Sequence, residues 1–187
     1  MIFETIIVST DVDGAAHVTP FGVKHEGNLI VISPFRPSKT LSNILATQSA
    51  TVNLTDDVRV FAGALTKRQP WTLLPANKVN GFRLEGCLNH VELSLVDVRE
   101  DIERPQLVMQ SVETQYHAAF KGFNRAQAAV IELAVLASRL RMLPQEKVKL
   151  ELHYLQIAID KTAGERELEA WGWLADKIDA YYQEDLV

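Results

Sequence analysis

Pro34-Phe35-Arg36-Pro37-Ser38-Lys39-Thr40-Leu41-Ser42-Asn43-Ile44 is the stretch around which this 187-residue sequence is organised. Just before it, Leu29 to Ile32 is a short branched apolar run that predicts a buried strand. Two prolines flanking Phe35-Arg36 stop that strand, and Ser38 stands where a helix N-cap belongs. Leu41, Ile44 and Leu45 then give a helical stripe that runs out near Gln48. The start of such a helix presents free N–H groups and the positive end of its dipole. Arg36, Lys39, the hydroxyls of Ser38 and Thr40 and, one turn on, the Asn43 amide surround that start. Together they are equipped to hold a phosphate. An ordinary capped helix with two solvated basic residues is the other reading, and this stretch alone leaves both open.

Outward from it, residues 2 to 9 are rich in β-branched side chains and predict a first strand. Asp13-Gly14 is a hairpin signal, and a second strand follows over about residues 15 to 25. Thr19-Pro20-Phe21-Gly22 predicts a local interruption of that strand, since proline cannot donate to a ladder and glycine has no side chain to pack. The interruption reads either as an edge-strand bulge or as a place where a flat ligand approaches the backbone. Glu26-Gly27-Asn28 turns the chain into the third strand, and a fourth, Ala50 to Leu54, carries Asn53. Thr55-Asp56-Asp57 is placed to cap a second short helix with Val58, Phe61, Ala62 and Leu65 on one face.

Residues 66 to 80 read as a loop or a partly ordered lid, with Trp71 packed against the body rather than stacked on a ligand. Val91, Leu93 and Leu95 then alternate before the apolar positions slip to Val96 and Val98, which predicts a bulge in a long strand over 84 to 98. A charged turn at Arg99 to Pro105 leads to a last strand over 107 to 119. Six antiparallel strands of this kind close into a small barrel, which removes exposed edges. After Gly122 the apolar period changes from two to that of a helix, and three helices are expected, with Asn124 capping the first. The aromatic stripe of the third helix reads as core. The fold class is therefore α+β, with a barrel domain over 1–122 and a helical extension over 123–187.

The composition narrows the function. A net charge of −5 argues against nucleic-acid binding, which needs a basic face. The most apolar helical run, Ala126 to Ala137, is broken by Glu132 and too short to span a bilayer. One cysteine, Cys87, excludes an intramolecular disulfide and fits a reducing compartment, so a cytoplasmic protein is expected. The five histidines are scattered, and none is read as making a metal-ligand spacing with another His or Cys, so no metal is expected. Cys87 reads as a buried structural thiol. P-loop, dinucleotide fingerprint and nucleophile elbow are all absent. Any catalysis then belongs to a bound cofactor.

Taken in order, Val8-Ser9-Thr10, Asp13-Gly14, Thr19-Pro20-Phe21-Gly22, Ser38-Lys39-Thr40 with Asn43-Ile44, and Val52-Asn53 resemble the split-barrel FMN-binding, flavin-reductase-like proteins. With Thr55-Asp56-Asp57-Val58 and Phe123-Asn124-Arg125-Ala126 added, the sequence is most similar to a branch of unassigned function, known from archaea and from bacteria with tetrahydromethanopterin-linked one-carbon metabolism. The resemblance implies a six-stranded split β-barrel and a flavoprotein, an oxidoreductase passing hydride or electrons through FMN. It implies that Arg36, Ser38, Lys39, Thr40 and Asn43 hold the FMN phosphate. Thr10, His17, Val18, Thr19, Pro20, Phe21 and Asn53 would line the ring and the ribityl chain. His17 and Pro20 depart from the reductase pattern, which often has Asn and Ser there. A homodimer with flavin at the subunit interface is also implied. Related barrels hold deazaflavin F420, pyridoxal phosphate or haem, so F420 is the alternative cofactor, and a non-catalytic carrier of a phosphorylated ligand is the alternative function.

Overall fold

In the computed structural model, which describes residues 1–184, the β-branched run Ile2–Thr10 is strand β1, antiparallel to β2, Ala16–Glu26. Asp11 closes the turn between them: its Oδ1 accepts from the N–H groups of Asp13 and Ala15. Gly14 takes a φ of 86° there, a value that disfavours any side chain. Strand β3 is Leu29–Ile32, helix α1 is Lys39–Thr47 and strand β4 is Ser49–Leu54. Helix α2 is Arg59–Thr66, and the three-residue strands β5, Leu73–Pro75, and β6, Phe82–Leu84, form a separate hairpin. Strands β7, Asn89–Arg99, and β8, Gln106–Tyr116, complete a closed six-stranded antiparallel barrel in the order β1-β2-β3-β8-β7-β4. The expected bulge is present: the register of β7 on β8 shifts between Leu95 and Asp97 and leaves Val96 exposed.

One expectation is corrected. Strand β2 is not interrupted at Thr19 to Gly22; its register on β1 runs unbroken from Ala16 to Lys24. Pro20 is tolerated because β3 pairs only with Val23 to Glu26, so this half of β2 has a strand on one side. Gly22 is explained by its neighbour, for an added Cβ would lie 2.7 Å from Cγ2 of Ile2. The barrel core contains Ile7, Val23, Ile32, Val52, Leu93 and Met109, and Leu41 and Ile44 of α1 join it.

The described residues divide into two compact units. The first takes Met1–Thr55 and Trp71–Phe120, the second Asp56–Pro70 with everything from Lys121 onward. The helical unit thus takes in α2, a segment that the sequence reading placed within 1–122. Its other helices are α3, Arg125–Ala137, α4, Gln145–Thr162, and α5, Glu165–Glu184, with a short 3-10 turn at Leu140–Met142. Residues 185–187 of the expected extension lie outside the described residues. Val58 and Ala62 pack with Ala126, Val130, Leu133, Leu174 and Ile178 in one core, and Trp171 is buried in it. No described helix is long and apolar enough to cross a membrane.

Asn124 organises the entry to α3. Its Oδ1 accepts from the N–H groups of Ala126 and Gln127, and its Nδ2 donates to the carbonyl of Thr162 at 3.0 Å. Asn124→Ala removes both the cap and this tie to the end of α4. It should cost about 1–2 kcal/mol in denaturant unfolding. An unchanged midpoint would show that solvent replaces the cap without loss.

Candidate functional site

The start of α1 is built from Ser38, whose extended backbone (φ −152°, ψ 151°) lets its Oγ accept from the N–H of Leu41 at 3.3 Å. Arg36, joined to Pro37 by a cis peptide bond, donates its backbone N–H to the carbonyl of Glu103 at 2.8 Å. Its guanidinium pairs with Glu100 at 2.9 Å, both partners in solvent. Lys39 lies 3.9 Å from the carboxylate of Asp11, so the β1–β2 turn faces the same helix start. Exposed pairs of this kind are weak and exchange readily for a stronger anion.

Behind the helix start the residues are buried. Asn43 donates to the Oγ of Ser9 at 3.1 Å, and Thr40, one turn earlier on the same helix, is buried as well. His17 is the cross-strand partner of Ser9. Burial, and then the charge of Lys39, hold its imidazole below its ordinary value, so it is neutral near neutral pH. Ser9, His17, Ser38, Lys39 and Asn43 are therefore one neighbourhood, a helix start with one cation and a neutral imidazole, and Arg36 adds a second cation just before it in sequence. Such a set can neutralise and hydrogen-bond a dianion at one side and offer a neutral polar contact at the other.

The remaining expected residues divide by strand alternation. Thr19 and Phe21 share the face of His17, and Phe21 packs against the barrel core. Thr10, Val18 and Pro20 take the opposite face. Asn53 is held by the protein itself. Its register with Ile6 puts it on that opposite face, fully buried, and its amide is spent within the chain. Nδ2 donates to Oγ1 of Thr51 at 2.9 Å and Oδ1 accepts from the N–H of Leu84 at 2.8 Å. Asn53 is thus a strut tying the β5–β6 hairpin to the barrel. Thr51 does the same by donating to the carbonyl of Phe82 at 2.7 Å.

A second polar centre, missed by sequence reading, lies on the same strand face. His90 and Glu92 of β7 register with Asn53 and Thr51 of β4, and both are fully buried. The Glu92 carboxylate accepts from the backbone N–H groups of Asn77, Lys78 and Val79 at 2.7, 2.6 and 3.0 Å. Its Oε1 also meets Nε2 of His90 at 3.2 Å. Burial pushes this carboxyl up, but the three N–H donors and His90 outweigh it and hold it below its ordinary value. Nδ1 of His90 lies 2.9 Å from Nε2 of the exposed His117, and the two rings are within 8° of parallel. Cys87 is buried and donates to the carbonyl of Leu84 at 3.0 Å. Burial raises its thiol pKa, against the pull of the neighbouring Arg83 guanidinium. Two of the five histidines, His90 and His117, are therefore brought together in space. The signal that was available is the Cys87-x-x-His90 spacing; His117 has no sequence signature of its own.

Comparison with known proteins follows from this geometry. A family model described as "Protein of unknown function (DUF447) N-terminal domain" matches residues 3–118, and its companion, "Protein of unknown function (DUF447)", matches residues 124–176. Among solved structures, an FMN-bound protein from Methanosarcina mazei, matched to the same family model, superposes with a TM-score of 0.80 at 17% identity, covering 94% of each chain. A 2-nitrobenzoate 2-nitroreductase from Pseudomonas fluorescens gives 0.55 at 17% identity, covering 61% of this chain and 64% of that one. A flavoredoxin from Desulfovibrio vulgaris (Miyazaki F) gives 0.54 at 13% identity, covering 61% and 69%. No curated protein sequence matches. At these identities the likeness establishes the fold, a six-stranded barrel with a C-terminal helical extension.

Proposed function

The chain belongs to the DUF447 family of proteins of unknown function, and from that premise we propose that it is an FMN-binding flavoprotein acting as an oxidoreductase. One observation carries the reading: an FMN-bound protein matched to the same family shares this fold over 94% of both chains. The donor set at the start of α1 fits the phosphate of that cofactor. Ser38 and Thr40 supply hydroxyls, the first turn supplies N–H groups, and Arg36 and Lys39 supply charge. Both cations would exchange exposed carboxylates for a dianion, which gains charge without new desolvation of the protein. Along β2, the segment from His17 to Phe21 would line the ring and ribityl chain, with Thr10 on the adjoining strand. His17, neutral at working pH, would offer one N–H or one lone pair without adding charge.

FMN, when bound, supplies hydride or electron transfer through its ring; the chain's part is to bind, orient and exclude water. The purified protein should show the two-banded visible spectrum of oxidised flavin, bleached by NADH, NADPH or a reduced deazaflavin. A colourless protein that gains no such spectrum when mixed with FMN would sink the reading. A bound flavin that no donor reduces would leave a carrier rather than an oxidoreductase.

The site is proposed to be completed by a second copy. Phe3, Val12 and Phe35 are large apolar side chains left exposed on the barrel unit of a single chain. Light scattering of the FMN-loaded protein should report a dimer of 20.9 kDa chains. A monomer that still holds FMN would remove the interface from the model.

A further inference from the structure

We propose that Cys87, His90 and His117 are the three protein ligands of a site for one divalent transition-metal ion of the zinc class, with Glu92 as the carboxylate that orients His90. The Sγ of Cys87 and one ring nitrogen from each histidine lie within 4.8 Å of one another. Around one tetrahedral ion, with bonds of about 2.0–2.3 Å, such ligand atoms stand about 3.3–3.7 Å apart. The Nδ1 of His90 and Nε2 of His117, now at 2.9 Å, need to open by a few tenths of an ångström, and the thiol, within 4.8 Å of them, needs to close by up to about 1 Å, the reach of a side-chain rotation.

The surroundings favour this arrangement. Nε2 of His90 faces Glu92, which fixes the tautomer and turns the Nδ1 lone pair toward His117. A carboxylate behind an imidazole is the usual outer partner of a metal-bound histidine. Glu92 is itself immobilised by three backbone N–H groups, so the imidazole is held against a rigid support. The ligand-bearing segments are pinned together by the main chain: the N–H of His117 donates to the carbonyl of Leu88 at 2.7 Å, one residue from Cys87. Asn89 and Tyr116, flanking the two histidines, are register partners. Cysteine with two imidazoles selects zinc-class ions over magnesium or calcium. His117 is exposed, so a fourth position faces water, which is the coordination of an open rather than a closed site.

Binding is balanced as follows. The Cys87 S–H bond is broken and its proton leaves to solvent. His117 carries its remaining proton on Nδ1 and coordinates through Nε2, while His90 keeps its proton on Nε2 toward Glu92. The ion keeps its oxidation state throughout.

Cobalt(II) tests the site in the full-length reduced protein, read as difference spectra so that any bound flavin cancels. Cys87 is the single cysteine of the chain, so a thiolate-to-cobalt charge-transfer band reports on this site alone. One equivalent per chain should develop that band together with the intense visible bands of a four-coordinate ion, and zinc should displace both. Cys87→Ser should abolish the charge-transfer band. His117→Ala, at an exposed position that the fold does not need, should weaken cobalt about 10- to 100-fold while circular dichroism stays unchanged. No charge-transfer band at micromolar cobalt overturns the proposal. So does a band whose affinity is the same in His117→Ala, since the imidazoles would then be only a hydrogen-bonded pair.

Discussion

Glu92→Ala is expected to lower the unfolding free energy by about 3–5 kcal/mol, and Glu92→Gln by nearly as much. The carboxylate is fully buried and accepts three backbone N–H groups plus His90. Hydrogen bonds to a charged group contribute about 1.5–3 kcal/mol each, and water can reach the partly exposed 77–79 segment, which recovers some of the loss. Glutamine keeps one acceptor but turns an NH2 group toward donors, so it relieves little. The measurement is a shift in denaturant midpoint at constant slope. A pH profile gives the independent check. The carboxyl is held below its ordinary value, so its stabilisation is complete above the ordinary glutamate range near 4.5 and fades as the pH falls below it. There the unfolded chain takes up the proton first. The difference between parent and Glu92→Gln should therefore shrink on acidification through that range. A difference that stayed constant from neutral pH to pH 3 would mean that Glu92 acts only by filling space.

The second large effect is on ligand affinity. Arg36→Ala and Lys39→Ala should each weaken FMN about 10- to 100-fold, since charge-assisted hydrogen bonds contribute about 1.5–3 kcal/mol and about 1.4 kcal/mol is a decade. Riboflavin, which lacks the phosphate, should bind the parent more weakly and be nearly indifferent to both changes. Both side chains are exposed and neither caps the helix, so these variants leave the fold alone. Ser38→Ala differs, because Ser38 also caps α1. It should weaken FMN strongly and lower stability by about 1 kcal/mol. Lys67 and Arg68 lie in the loop after α2 and serve as controls that leave affinity unchanged. Equal losses for FMN and riboflavin in Lys39→Ala would show that the start of α1 is only a helix cap.

Much of this fold is legible where one local cause decides the outcome. The Ser38 and Asn124 caps, the turn at Asp13-Gly14 and the slip at Val96 each announce themselves within a few residues, and each is present. The unbroken course of β2 is not legible, because Pro20 is forbidden or permitted according to whether a neighbour lies on its second side, and β3 is too short to supply one. The β5–β6 hairpin has strands of three residues, below any alternation that a pattern can register. Its anchors, Thr51, Asn53 and Glu92, reach across 13 to 31 residues. The site divides the same way. The helix start is contiguous in sequence and was readable from it. The pairing of His90 with His117 depends on the register of β7 with β8 across 27 residues.

The division of the chain has a consequence for synthesis. Helix α2 leaves the ribosome with Val58, Ala62 and Leu65 on one side, but the core they belong to is made by residues from Ala126 to Ile178. At about 5–20 residues per second, the roughly 100 residues between them take about 5–20 s to be made. For that interval the nascent chain carries an apolar helix with no partner of its own, and until β8 ends at Tyr116 the barrel is incomplete as well. A transcript truncated near residue 122 would leave that interval permanent. The product would be a substrate for holding chaperones rather than a smaller working protein.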